Sequence, residues 1–268
     1  MGKWHADCTS GGMKNGLKAV ILDIDGTLLW SNSAHAMAFT EAAENLGLDA
    51  GYSKILELIG KGADKLIPEA FGVEEDSVLG KKLSRLKSKI FTERFLPHLG
   101  PTPGARELLE ALKSKGVIRI VATSSERKDA ARLLERAGVQ DLIDNTTTAD
   151  DADDSKPDPD ILHAALDKID ASPHQTVMVG DTPYDIEAAH RASIRCLAVR
   201  CGGWNDQSLS GAAGIYDDPA DILTHFGQAF SLTGNSRVTS SSPDRSRTNR
   251  RYSKPRLRSS TARKIDEG

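Results

Sequence analysis

Short, mostly apolar runs alternate with amphipathic segments through much of this chain, and that alternation limits its fold more than any other feature. The runs cover residues 18–22, 117–122, 176–179 and 195–199, with a shorter strand candidate at 141–144. Helical patterns lie between them at 105–115, at about 126–137, at 160–169 and from about 183 to 192. Gly116 and Gly138 close the first two, and Asp158 with Pro159 opens the third. Strands alternating with helices predict a Rossmann-like parallel sheet with helices on both faces. Right-handed crossovers then bring the loops after the strands to one edge.

One interval breaks the pattern. Residues 28–103 contain no good strand but carry helical stretches near 34–46, 54–59 and 77–95. That is far too long for a strand-to-helix connection. We expect an inserted α-helical cap domain over residues 28–103, with the core made of 17–27 and 104–230. Residues 1–16 form a polar, glycine-rich leader in this reading. Residues 231–268 form a disordered tail, rich in Ser and Arg. The tail holds ten basic residues against three acidic ones, a charge of +7, and leaves −10 on the rest of a chain whose net charge is −3. A solvated extension is the simpler reading of this tail, and contact with nucleic acid is its alternative. No apolar run reaches the length of a membrane span or a signal peptide. Three cysteines, Cys8, Cys196 and Cys201, without metal-ligand spacing, fit a reducing compartment, so we expect a cytoplasmic protein.

The ends of the apolar runs carry the chemistry. The first run finishes in Asp23-Ile24-Asp25-Gly26-Thr27. Two acids two apart on an extended chain point the same way, and Gly26 permits a sharp turn after them. Like charges held together call for a cation between them, and Mg²⁺ suits carboxylates and phosphate oxygens. The second run ends in Thr123-Ser124-Ser125, whose hydroxyls and amides form a phosphate cradle. Lys156 precedes Pro157 just before a helix, and the run 176–179 leads into Gly180-Asp181-Thr182-Pro183-Tyr184-Asp185. Thr182 and Asp185 also match a capping box, so Asp185 is read as a helix cap, an active-site acid or both.

Acid pair, hydroxyl, lysine and acid at successive strand ends resemble the haloacid dehalogenase-like hydrolase superfamily, over about residues 17–227. The cap placed after the first motif is similar to that of its phosphoglycolate phosphatase and β-phosphoglucomutase branch. The resemblance implies Asp23 as nucleophile and Asp25 as proton donor and acceptor. It implies Thr123 and Lys156 as catalytic partners that hold a phosphoryl oxygen and offset charge. It implies Mg²⁺ held by Asp23, the Asp25 carbonyl and Asp181, with Asp185 supporting that shell or orienting Lys156. Gly26, Thr27, Ser124 and Lys61 are the expected substrate contacts, Lys61 from the cap loop Gly60-Lys61-Gly62. An acid at position 25 argues against the dehalogenases themselves.

The expected activity is therefore hydrolysis of a small soluble phosphomonoester, such as a sugar phosphate or phosphoglycolate, through an aspartyl-phosphate. A phosphomutase of the β-phosphoglucomutase type shares all four motifs and stays open. So does a phosphate-binding protein whose basic tail contacts nucleic acid, although binding alone needs neither nucleophile nor acid. Monomer and dimer both remain open. Three further features are read as structural: the run Asp150, Asp151, Asp153 and Asp154 as a solvated loop, His35 as a packed or surface histidine, and Cys201-Gly202-Gly203-Trp204 as a turn.

Overall fold

The computed structural model describes residues 16–232 and a short strand, Val238–Thr239. Its centre is a parallel sheet in the order β3-β2-β1-β4-β5-β6-β7. The strands are β1 (Ala19–Leu22), β2 (Ile118–Ala122), β3 (Asn145–Thr147), β4 (Thr176–Gly180), β5 (Arg195–Val199), β6 (Gly214–Tyr216) and β7 (Val238–Thr239). All four residues of β1 are fully buried. Val20 and Leu22 enter one apolar cluster while Ala19 and Ile21 enter another, so each face of the sheet is covered. Burying Val20, Ile21 and Leu22 stabilises by roughly 1.5–3 kcal/mol each, so β1 carries no charge and the acids begin only after Leu22.

Helices α5 (Ala105–Ser114) and α6 (Arg127–Ala137) supply Leu108, Leu109, Leu112, Leu133 and Leu134 to the first cluster. Helices α7 (Asp160–Ile169) and α8 (Pro183–Arg191) supply Ile161, Leu162, Ala165 and Ile186 to the second. The chain winds from β1 to β2 and β3 on one side, then returns to β4 on the other. That reversal opens a crevice at the carboxyl ends of β1 and β4. Leu22 is in register with both Val121 and Val179, so the loops after β1, β2 and β4 leave the sheet at one level.

Between β1 and α5 the chain forms α1 (Asn32–Glu44), α2 (Tyr52–Leu58), α3 (Ala63–Phe71) and α4 (Val78–Ile90), the last continuing into a π turn at Phe91–Phe95. The two links between this helical unit and the sheet lie side by side. Trp30 N donates to Gly100 O at 3.1 Å and Thr102 N to Leu28 O at 3.1 Å. Among the described residues no helix is long and apolar enough to cross a membrane.

Several local expectations change. The third strand is Asn145–Thr147, not 141–144, because Leu142 turns inward within a short 3-10 segment at Gln140–Leu142. Helix α3 went unforeseen, since it carries Pro68 in its interior. The leader up to residue 15, including Cys8, and the basic residues of the tail lie outside the described residues. Val238–Thr239, within the stretch expected to lack order, runs parallel to β6.

Candidate active site

The buried acids converge where β1 and β4 end. Lys156 Nζ donates to Asp23 Oδ1 at 2.6 Å and lies 2.8 Å from Asp185 Oδ1. All three side chains are buried. Burial pulls the Lys156 ammonium down, but Asp185 and Asp23 outweigh it and hold it above the usual lysine range. Burial pushes the Asp23 carboxyl up to about 7, with Lys156 opposing and Asp185 and Asp25 adding to the rise. Asp185 keeps the dual part its spacing allowed. Its Oδ2 accepts from Thr182 N at 3.0 Å and Thr182 Oγ1 at 2.8 Å, while Thr182 Oγ1 accepts from Asp185 N at 3.2 Å, closing the capping box of α8. Its other oxygen faces Lys156.

Asp25 points towards the cap. Its Oδ1 contacts His35 Nε2 at 2.9 Å and accepts from Ser31 Oγ, and Ser125 Oγ lies 3.5 Å from Oδ2. Burial opposes ionisation of Asp25, but His35 and Ser31 overcome it and hold the carboxyl down at about 2. Burial lowers the His35 imidazole below its ordinary value, and Lys87 adds to the drop against the pull of Asp25. His35 stacks on Phe91 at 3.9 Å between ring centroids. Lys87 holds its ammonium 4.8 Å from the Phe39 centroid and 5.5 Å from that of Phe91. His35 is packed, as expected, and it also touches Asp25. Ser31 and His35 stand four apart at the start of α1, the spacing that puts two side chains on one helix face, and that spacing was the available signal.

A cavity of about 510 Å³ lies between sheet edge and cap, with Asp23, Asp25, Thr123 and Ser124 on its floor and Lys61, Arg85, Lys87 and Lys89 on the cap side. Thr123 is buried and accepts from Ser125 N at 3.2 Å. Ser124 Oγ reaches Gly60 O at 3.4 Å. Lys61 lines the cavity, yet its ammonium pairs with Glu69 and lies 4.9 Å from the Tyr184 ring centroid. Tyr184 in turn donates to Glu57 O at 2.6 Å, so this part of the cap rests on the start of α8. The expected substrate contacts Gly26 and Thr27 stand behind the acids instead of on the cavity wall. Thr27 is fully buried and donates to Asp181 Oδ1 at 3.3 Å, because its turn folds the side chain back under the strand ends.

Cys201-Gly202-Gly203-Trp204 begins with the expected turn, and its Gly202 lies against Asp181. One other reading changes. Asp151 is no freely solvated acid: it pairs with Arg127 at 2.9 Å and Lys168 at 3.0 Å and caps the Ala149–Asp151 turn.

The donor set fits a metal ion. Asp23, Asp181 and Asp185 each offer a carboxylate oxygen, and the three lie within 4.8 Å of one another. Burial pushes Asp181 well above the usual carboxylate range, with Asp185 and Asp23 adding to the rise, which is the mark of acids short of positive charge. Lys156 supplies one cation for three acids. The backbone is shaped around Asp181 as well. A Cβ on Gly202 would fall 1.8 Å from Asp181 Oδ2, and one on Gly26 would fall 2.3 Å from it. Only glycine fits on either side of this carboxylate.

Fold and site together define a parallel α/β enzyme whose buried acids open into a cavity roofed by a helical cap. A family model described as haloacid dehalogenase-like hydrolase matches residues 20–199. A phosphoglycolate phosphatase of Rhodospirillum rubrum is 33% identical over 238 residues, covering 82% of this chain and 95% of that one. A phosphorylated carbohydrates phosphatase of Thermotoga maritima is 28% identical over 213 residues, covering 77% and 97%. The crystal structure of a hydrolase from Pseudomonas syringae superposes with a TM-score of 0.74 at 29% identity, covering 79% of this chain and 98% of that one. The chain belongs to the haloacid dehalogenase-like hydrolase family.

Proposed function

We propose that this protein is a Mg²⁺-dependent phosphatase that hydrolyses a small phosphomonoester through an aspartyl-phosphate on Asp23. One observation carries the reading: a buried aspartate, matched to Lys156 at 2.6 Å, faces a capped cavity with a second acid two residues further on. A carboxylate needs no base to become a nucleophile, only relief from repulsion by the incoming phosphate. Lys156 gives part of that relief. Asp23, Asp181 and Asp185 are the residues that would hold Mg²⁺, and the ion would supply the rest of the positive charge.

An Asp23 oxygen attacks phosphorus, and the bond from phosphorus to the leaving alcohol breaks. Asp25 gives that alcohol oxygen a proton. Asp25 is held ionised in the resting structure by its contacts with His35 Nε2 and Ser31 Oγ, so it must take up a proton before this step. Ionised again, Asp25 then takes a proton from the water that cleaves the aspartyl-phosphate, which releases inorganic phosphate and restores Asp23. Thr123 and Ser124 line the floor where phosphoryl oxygens would rest. Cationic Arg85, Lys87 and Lys89 on the cap wall favour an anionic substrate, in line with relatives named for phosphoglycolate and phosphorylated carbohydrates. No observation favours a phosphomutase over a phosphatase.

The test is phosphate release from a panel of small phosphomonoesters, with and without Mg²⁺, for the wild type and Asp23→Asn. We expect Mg²⁺-dependent release that the substitution abolishes. Turnover by Asp23→Asn near the wild-type rate would falsify the nucleophile.

A further inference from the structure

Of the three clustered acids, Asp23 and Asp185 are paired with Lys156, whereas the hydrogen bonds to the Asp181 carboxylate come from neutral donors. Asn32 Nδ2 donates to Asp181 Oδ2 at 2.7 Å, and the same nitrogen donates to Gly202 O at 2.9 Å. Thr27 Oγ1 reaches the other Asp181 oxygen at 3.3 Å. Asn32 is buried and is the first residue of α1, the helix that opens the cap. Its own carbonyl, Oδ1, is buried without a hydrogen-bond partner among the described residues. Two acceptors, a carboxylate and a backbone carbonyl, meet the amide on its nitrogen side. Turning the amide over would set its oxygen against both, so they fix its orientation and leave Oδ1 stranded.

We infer that Asn32 is a positioning residue that fixes the Asp181 carboxylate for the cation and ties that ligand to the first helix of the cap. The inference rests on the reading of Asp181 as a metal ligand. The chemistry suits an asparagine and little else. A ligating carboxylate binds more tightly when a hydrogen bond already holds its orientation. A lysine or arginine here would donate equally well, but its charge would compete with the ion. An aspartate could not donate, and a leucine of similar volume has no donor. Asparagine gives one N–H to the ligand and the other to the Gly202 loop, holding the Asp181 carboxylate against the glycine that leaves room for it.

The experiment is Mg²⁺ titration by calorimetry on the full chain without substrate, comparing wild type, Asn32→Leu and Asp181→Asn. Melting temperatures without metal are read alongside. Loss of an outer-shell partner typically costs about 10–100-fold in metal affinity. We expect Asn32→Leu to weaken Mg²⁺ by that factor, with a metal-free melting temperature near wild type and no measurable binding to Asp181→Asn. A role in folding alone would lower the metal-free melting temperature and leave the dissociation constant unmoved, which overturns the inference. If Asp181→Asn binds Mg²⁺ as tightly as wild type, the acids are not the cation site, and both the reading and the inference fall. Should Asn32→Leu not fold, Asn32→Ala carries the same comparison.

Discussion

Lys156 holds its ammonium 2.6 Å from Oδ1 of Asp23, with 1% and 8% of the two side chains exposed. At such burial neither partner is indifferent to losing the other. Removing one side of a buried pair leaves an uncompensated charge, at a cost of about 3–5 kcal/mol unless the remaining group takes up a proton. Lys156→Met should therefore lower the midpoint of chemical denaturation, most at alkaline pH, because Lys156 is what opposes protonation of the buried Asp23 carboxyl. Turnover should fall by about 10²–10³-fold, the usual consequence of removing one fixed electrostatic partner of a transition state. Full activity in this variant would remove Lys156 from the chemistry.

Stability should depend on pH and metal together. Without a metal ion, burial pushes the Asp23 carboxyl up to about 7 from 3.8 even with Lys156 beside it. The native state then holds a proton that the unfolded state has released. Stability is accordingly highest at low pH in this respect and declines as pH rises from about 4 to 7. Mg²⁺ needs the ionised acids, so its binding weakens as pH falls through the same window. The rise in melting temperature on adding Mg²⁺ should be larger at pH 8 than at pH 5. Equal increments at both values would show that the clustered acids do not titrate where burial places them.

A cap contact next to Lys156 offers a separate test. Lys65 donates to Ser155 O at 2.9 Å and pairs with Asp158, which also pairs with Arg191 at 2.7 Å. Gly62 N donates to Ser155 Oγ at 3.0 Å. The loop before Lys156 is thus gripped by the cap. These ion pairs are partly exposed, so Lys65→Ala should change global stability by no more than about 1 kcal/mol. Hydrogen exchange around residues 60–66 and 154–158 should nevertheless quicken. Unchanged exchange in both segments would show that Lys65 does not clamp the cap to the core.

The sheet and the four motifs were legible because each core strand is a short apolar run that stops at a polar residue. Burial on both faces writes β1, β2, β4 and β5 directly into composition. Asn145–Thr147 escaped because a short edge strand of Asn and Thr carries no apolar signal. The clustering of Asp23, Lys156, Asp181 and Asp185 follows once the strands are parallel, since their ends must share one edge. Contacts that depend on how the cap lands were not legible. His35 reaches Asp25, and Lys61 is occupied by Glu69, only through the packing of α1 to α4. Asn32 and Asp181 lie 149 positions apart, and nothing local in the sequence links them.

Asp25→Ala is the sharpest test of the proposed mechanism. Asp25 is held ionised at about 2 and borders His35 and Ser31, while the clustered acids are Asp23, Asp181 and Asp185. Removing its carboxylate should leave the nucleophile and the acid cluster in place. What disappears is proton delivery to the leaving oxygen and proton removal from the attacking water. General acid–base catalysis is worth roughly 10²–10⁴-fold, so turnover of an alkyl phosphate should fall by about that factor. A nitrophenyl phosphate has an acidic leaving group and needs little protonation, so its first step should suffer less. Its second step still lacks a base. Phosphoenzyme should therefore build up on Asp23, seen as a burst of nitrophenol or an added phosphoryl mass. His35→Phe should show a milder form of the same split, since it keeps the ring stacked on Phe91 but removes the nitrogen facing Asp25. If Asp25→Ala loses both substrates equally and traps no phosphoenzyme, Asp25 is holding the site together and the proton transfer belongs to another group.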